Sequence, residues 1–151
     1  MEITYTEGGL TVDVYQGLRA RVGWKPFSRR QAALALEGSL YIVCAWDGDQ
    51  PVGMGRLVGD ASTICYIQDL IVLPGYRRAH VGTKLIERLE RVARSYIEPG
   101  ETMRLCLMCA RGREPFYESC GFLARPTPDL GPGMIRYLEA AEEGQQEEAE
   151  G

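Results

Sequence analysis

A β-prone run from Thr63 to Leu73 is cut by Pro74-Gly75 and followed by a basic loop, Tyr76-Arg77-Arg78-Ala79-His80. The chain then enters a segment in which Val81, Leu85, Leu89, Val92 and Ala93 share one helical face. The other face carries Glu87 with Arg91 and Glu90 with Arg94, in the favoured acid-before-base spacing. After Pro99-Gly100, Met103 to Ala110 reads as another strand. Residues 63–110 therefore form one strand-helix-strand unit, and the rest of the chain must fit around it.

Leu10, Val14, Leu18 and Val22 recur at a helical interval closed by Gly23. Ser28 and Gln31 match a capping box before Ala32, Ala33, Leu34 and Leu36, and Gly38 ends that second helix. Leu40–Trp46 and Pro51–Val58 flank the turn Asp47-Gly48-Asp49-Gln50, which is a hairpin signal. Gly53 and Gly55 inside the second of these strands mark a bulge or a close neighbour. Glu114–Glu118 starts a short helix that stops at Gly121, and Pro126 to Gly133 is an irregular loop. Met134–Leu138 reads as a last short strand. The fold class is α+β, a mixed sheet with helices, in one domain over residues 1–138.

The chain of 151 residues has 45% hydrophobic and 25% charged residues, enough for a core without disulfide or metal staples. Its net charge of -4 argues against a basic nucleic-acid binder. The acidity is local. Residues 139–151 hold six acids and no Lys or Arg, whereas residues 1–138 hold 17 basic and 15 acidic residues. Residues 139–151 are expected to be a disordered solubilising tail whose removal leaves activity intact. No apolar run is long enough to span a bilayer, and the first residues do not resemble a signal peptide. Five cysteines without such a signal point to reduced thiols and a cytoplasmic protein. Cys106 and Cys109 stand three apart on an expected strand, so their sulfurs face opposite ways and no metal site is expected.

The strand-loop-helix junction carries the chemistry. Unpaired N–H groups at a helix start bind anions, and the helix dipole adds to the attraction. Arg77 and Arg78 add formal charge, and Gly82 lets a phosphate approach the backbone. Neither the P-loop pattern nor the dinucleotide fingerprint is present. The junction reads as a phosphate or pyrophosphate site.

Val72-x-Pro74-x-x-Arg77-x-x-His80-x-Gly82-x-x-Leu85 resembles the acyl-CoA-binding motif of the GCN5-related N-acetyltransferases, and Phe116-Tyr117-x-x-x-Gly121-Phe122 resembles that family's second hallmark. The resemblance covers about residues 3–138. It implies a splayed, mostly antiparallel central sheet flanked by helices, and acetyl-CoA as co-substrate. Two positions depart from the pattern. His80 stands where the family's first loop glycine usually sits, and Ala110 where many relatives carry Asn. A histidine at that position needs a negative φ or a tolerated strain.

The resemblance also implies roles. The pantetheine arm would lie along the backbone of Leu70, Ile71 and Val72, with the Leu70 N–H polarising the thioester carbonyl. The pyrophosphate would sit on the loop and helix start formed by Arg77, Arg78, Ala79, His80, Val81, Gly82 and Thr83. Tyr117 is the expected general acid for the departing thiolate, since a phenol stays protonated at neutral pH. The base stays open. Relatives often carry Glu at the position of Gln68, which cannot take a proton. Asp69 could serve if the strand bulges, and a water ordered by Gln68 and Tyr66 could serve equally.

Trp24 and Tyr66 are candidate walls of the acceptor site. No acidic run within residues 1–138 suggests a polyamine or histone-tail groove. The expected acceptor is the primary amine of a small molecule, attacking directly in a ternary complex. A protein N-terminus or lysine is the alternative acceptor. Another alternative is a CoA-binding regulatory module of weak catalysis, motivated by Gln68, His80 and Ala110. No membrane or nucleic-acid partner is expected. Small domains of this family often pair, so the resemblance allows a homodimer.

Overall fold

The computed structural model describes residues 2–141. The element order is β1 (Ile3–Glu7), α1 (Val12–Arg21), α2 (Arg29–Glu37), β2 (Tyr41–Asp47), β3 (Gln50–Gly59), β4 (Ile64–Val72), α3 (Val81–Arg94), β5 (Arg104–Leu107) and α4 (Glu114–Ser119). A 3-10 turn over Pro74–Ala79 links β4 to α3. The five strands form one sheet in the order β1-β2-β3-β4-β5. All neighbours are antiparallel except β4 and β5, which are parallel across α3. The mixed sheet expected from the sequence is the one observed.

Local chemistry explains the boundaries. The Thr11 hydroxyl accepts from the Val14 N–H to cap α1 (3.2 Å), and Ser28 accepts from Gln31 to cap α2 (3.1 Å). In the turn between β3 and β4, Asp60 accepts from the Ser62, Thr63 and Ile64 N–H groups and the Thr63 hydroxyl. The Thr63 hydroxyl first, then the Ile64 and Ser62 N–H groups, hold its carboxyl well below the usual carboxylate range. Val81, Leu85, Ile86, Leu89 and Ala93 bury the inner face of α3 against β2, β3 and β4. The two β3 glycines permit that approach. A Cβ on Gly55 would lie 2.8 Å from Leu89, and one on Gly53 would lie 2.8 Å from the Ile71 carbonyl and 3.3 Å from Val81.

Three sequence expectations change. Ile3–Glu7 forms an edge strand that was not anticipated, pairing with Val43–Asp47. Its alternation is half-buried Ile3 and Tyr5 with exposed Thr4 and Thr6, a signal carried by only two inward residues. The expected strand Met103–Ala110 shortens to Arg104–Leu107, because Met108 to Ala110 leave the sheet and lie exposed. Met134–Leu138 is not a strand: it pairs with none of the five strands, and its side chains lie exposed. Of the expected tail, residues 142–151 lie outside the described residues.

Candidate active site

β4 is the element that shapes the site. Met54 of β3 pairs with Ile71, but Arg56 pairs with Gln68, so β4 holds one residue more than β3 between those pairs. This is a β-bulge, and Asp69 within it takes the left-handed conformation at φ +52°. On its other side β4 pairs with β5 only from Ile64 to Ile67. From Gln68 to Val72 that side of β4 has no strand beside it among the described residues, so the backbone of Leu70, Ile71 and Val72 borders a gap.

A buried ionic cluster fixes the bulge. Asp69 accepts from Arg19 Nη1 at 2.6 Å, from Arg56 Nε at 2.7 Å and from the Tyr15 hydroxyl at 2.6 Å. Its side chain is 7% exposed, and those of Arg19 and Arg56 are 11% and 12% exposed. Burial first, and then the Asp69 carboxylate, push the Tyr15 phenol up to about 12. Arg19 is further held by the Lys25 carbonyl at 2.9 Å and lies 4.0 Å from the Phe27 ring centre and 5.4 Å from that of Trp24. The bulge thus occurs as the sequence allowed, but both oxygens of Asp69 are engaged by buried partners. Trp24 is placed on Arg19 and lines neither cavity described next.

Two cavities flank the gap. The larger, about 670 Å³, brings together Tyr66, Cys106, Leu107, Tyr117 and Leu130. Tyr117 is half-buried, edge-on to Phe116 and Phe122. Burial raises its phenol above the ordinary value near 10.0, with smaller contributions from Cys109 (raising), Arg113 (lowering) and Cys120 (raising). A proton therefore stays on this oxygen throughout the neutral range. Gln68 is half-buried two residues from Tyr66 on the same strand.

The smaller cavity, about 260 Å³, is lined by Val72, Arg77, His80, Gly82, Thr83 and Arg113, with Phe116 beyond. The Arg77 guanidinium donates to the Val72 carbonyl at 3.3 Å and ties the loop to the end of β4. The start of α3 has no side-chain cap, so its first N–H groups remain available. Two guanidiniums and an uncapped helix start are a donor set that fits a diphosphate. His80 adopts φ +58° at the junction, the strained alternative foreseen from the sequence. Gly82 has a further reason to lack a side chain: a Cβ there would lie 3.0 Å from the Phe116 ring. The two sequence motifs therefore touch. Arg78 and Ala79 are exposed beside this cavity, and Val81 and Ile71 are buried in the core.

Sequence reasoning missed Arg113 and the Tyr15-Arg19-Arg56 cluster. Arg113 immediately precedes the Glu114-Pro115-Phe116-Tyr117 helix, which was its available signal. Arg56 is the single charge in the apolar run Pro51–Val58, and a lone charge on a central strand calls for a buried partner.

The site thus combines a strand bulge, a gap beside the parallel strand pair and an uncapped helix start flanked by guanidiniums. Residues 13–122 match the model of the acetyltransferase (GNAT) family, and the chain belongs to that family. It is similar to a GNAT family acetyltransferase from Streptococcus pneumoniae, with 32% identity and a TM-score of 0.77 over 92% of this chain and all of that one. It is also similar to a probable acetyltransferase from Staphylococcus aureus, with 27% identity and a TM-score of 0.77 over 90% of this chain and all of that one. Among curated proteins, it is 31% identical over 138 residues to a histone acetyltransferase from Glycine max, covering 83% of this chain and 58% of that protein. It is 32% identical over 73 residues to a chloroplastic GCN5-related N-acetyltransferase from Arabidopsis thaliana, covering 48% of this chain and 29% of that one. The chain thus spans less than two thirds of the length of these curated relatives. No helix among the described residues is long and apolar enough to cross a membrane.

Proposed function

We propose that this chain moves an acetyl group from acetyl-CoA to the primary amine of a small molecule, by direct attack in a ternary complex. The observation that carries this reading is the continuity of the site. The open side of β4 at Gln68–Val72 runs from the Tyr117 cavity to the Arg77-His80-Gly82 cavity. An acyl donor with a diphosphate at one end and a thioester at the other matches that layout. Arg77, Arg113 and the N–H groups from His80 to Thr83 would hold the diphosphate, with Arg78 and Ala79 at its outer rim. Leu70, Ile71 and Val72 would hold the amide-bearing arm, and the Leu70 N–H would face the carbonyl oxygen as charge grows there.

The amine must reach the thioester neutral. Its nitrogen attacks the carbonyl carbon, the carbon–sulfur bond breaks, and the Tyr117 hydroxyl gives its proton to the departing sulfur. Solvent then restores the phenol. The proton lost by the amine passes to a water held by Gln68 and Tyr66, since Asp69 is engaged by Arg19, Arg56 and Tyr15. Asp69 is in this reading a positioning residue that keeps the bulge, not the base. A cavity of about 670 Å³ suits a small acceptor. Five free cysteines suit a reducing cytoplasm.

The resemblance to the Glycine max histone acetyltransferase favours a second reading, in which a protein lysine is the acceptor. Thiol release from acetyl-CoA with a panel of small amines and lysine peptides tests both, with calorimetric acetyl-CoA binding alongside. Turnover on small amines supports the proposal. Turnover on peptides alone moves the acceptor to protein, and tight binding without turnover on any acceptor makes the chain a CoA-binding module.

A further inference from the structure

The loop between β4 and α3 is strained and thinly supported. From Pro74 to His80 every residue is exposed except Tyr76, which is half-buried and packs against the core. His80 at its end is held at φ +58° and ψ 22°. Such a conformation persists only where its surroundings over-determine it. The loop's own ties are weak supports. The Tyr76 N–H donates to the Leu73 carbonyl at 2.8 Å, and the Arg77 guanidinium donates to the Val72 carbonyl at 3.3 Å. Both acceptors lie at the end of β4, from which the loop itself hangs.

One side chain reaches further. The Tyr76 hydroxyl donates to Asp47 Oδ2 at 2.6 Å. Among the described residues, this is the one side-chain hydrogen bond from the loop to an element other than β4. Asp47 is a fixed acceptor. It ends β2, paired with Ile3 of β1 on one side and Gln50 of β3 on the other. The bond to Asp47 first, and then burial, raises the Tyr76 phenol above its ordinary value, so the donor keeps its proton throughout the neutral range. Tyr76 directly precedes Arg77, and Arg77, His80, Gly82 and Thr83 line the smaller cavity.

We propose that Tyr76 and Asp47 are a positioning pair that presets this loop for the diphosphate of the acyl donor. The proposal rests on reading the smaller cavity as the diphosphate site. Neither side chain lines that cavity, so the pair acts through the loop and not on the donor. Without the bond the loop can leave its competent conformation, and apparent donor affinity falls in proportion to the fraction that stays competent. A hydrogen bond from a half-buried phenol to a carboxylate is worth about tenfold in an equilibrium constant, which bounds the effect.

Calorimetric titration of CoA into the full chain, Tyr76→Phe, Asp47→Ala and the double variant tests the pair. Phenylalanine keeps the ring against the core, a cooperative melt checks folding, and Tyr76→Phe decides should the Asp47 variants not fold. Each single variant is expected to bind CoA about three- to tenfold more weakly. The double variant is expected to lose no more than the weaker-binding single, since one bond can be removed only once. With an accepted amine, the KM for acetyl-CoA should rise by the same factor while kcat stays within about twofold. Exchange of the Tyr76 amide should quicken in the variants. An unmoved CoA affinity in folded Tyr76→Phe overturns the proposal even where exchange quickens, because the bond is then structural only. Losses that add in the double variant overturn the pairing. A full chain that binds no CoA overturns the acyl-donor reading and the proposal with it, whereas one that binds CoA no better than Tyr76→Phe overturns the proposal alone.

Discussion

Replacing Asp69 tests the physical basis of the site most sharply. Asp69→Asn keeps the shape of the side chain and a residue type that tolerates positive φ, but it removes the charge shared by Arg19 and Arg56. Both guanidiniums are nearly buried, at 11% and 12% exposure. Removing one partner of a buried pair costs about 3–5 kcal/mol, because the remaining charge is left without compensation. Arg19 keeps the Lys25 carbonyl, and Arg56 keeps the Ser39 hydroxyl at 3.3 Å. The loss should therefore sit near the lower end, about 3 kcal/mol, or a Tm drop of about 6–12 °C for a chain this long. Asp69→Ala adds the cost of holding alanine at φ +52°, about 1 kcal/mol more. Urea denaturation followed by far-ultraviolet dichroism measures both values. A loss below about 1 kcal/mol for Asp69→Asn would refute the argument that the cluster holds the bulge. The pH–rate profile separates positioning from proton transfer. A positioning Asp69 leaves the shape of the profile unchanged in the Asn variant, whereas a basic Asp69 would lose its acidic limb.

The other predictions are narrower. Tyr117→Phe should lower kcat by about 10²-fold or more while acetyl-CoA binding persists, as steady-state kinetics beside calorimetry will show; unchanged turnover removes Tyr117 as the acid. His80→Gly relieves the φ +58° strain and should raise stability by about 1 kcal/mol or less while lowering the KM for acetyl-CoA. An unchanged melt with a raised KM would mean that the imidazole itself holds the donor. Burial raises the Cys44 thiol to about 12 from 9.0 and the Tyr15 phenol to about 12 from 10.0. In both cases the folded value lies above the unfolded one, so the stability is complete below pH 9 and is lost as pH rises towards 12. Urea midpoints should fall across that window, and Tyr15→Phe should flatten the fall by roughly 2–3 kcal/mol at most.

The elements that the sequence made plain are those whose signals are local. The α3 stripe from Val81 to Ala93 and the Ser28 cap need only their own neighbours, and both appear where expected. That Arg77, His80 and Gly82 would come together was equally legible, because they lie within six consecutive residues, and all three line one cavity. What stayed hidden depends on distant partners. Asp69 reads as a free carboxylate until Tyr15 and Arg19, more than fifty residues away or close to it, arrive from α1. Strand Ile3–Glu7, rich in β-prone Ile, Thr and Tyr, exists because the edge of β2 accepts it, while Met134–Leu138 pairs with no strand among the described residues. The structural reason for Gly82 was half visible, since contact with Phe116 depends on how α4 returns to the sheet.

The central claim is that donor and amine occupy one site together and that the acetyl group passes directly between them. Initial rates of thiol release, measured while acetyl-CoA and an accepted amine are varied against each other, test it. The account predicts double-reciprocal lines that intersect, with one thiol released per amine acetylated. Parallel lines, or acetyl transferred to the protein in the absence of amine, would contradict it.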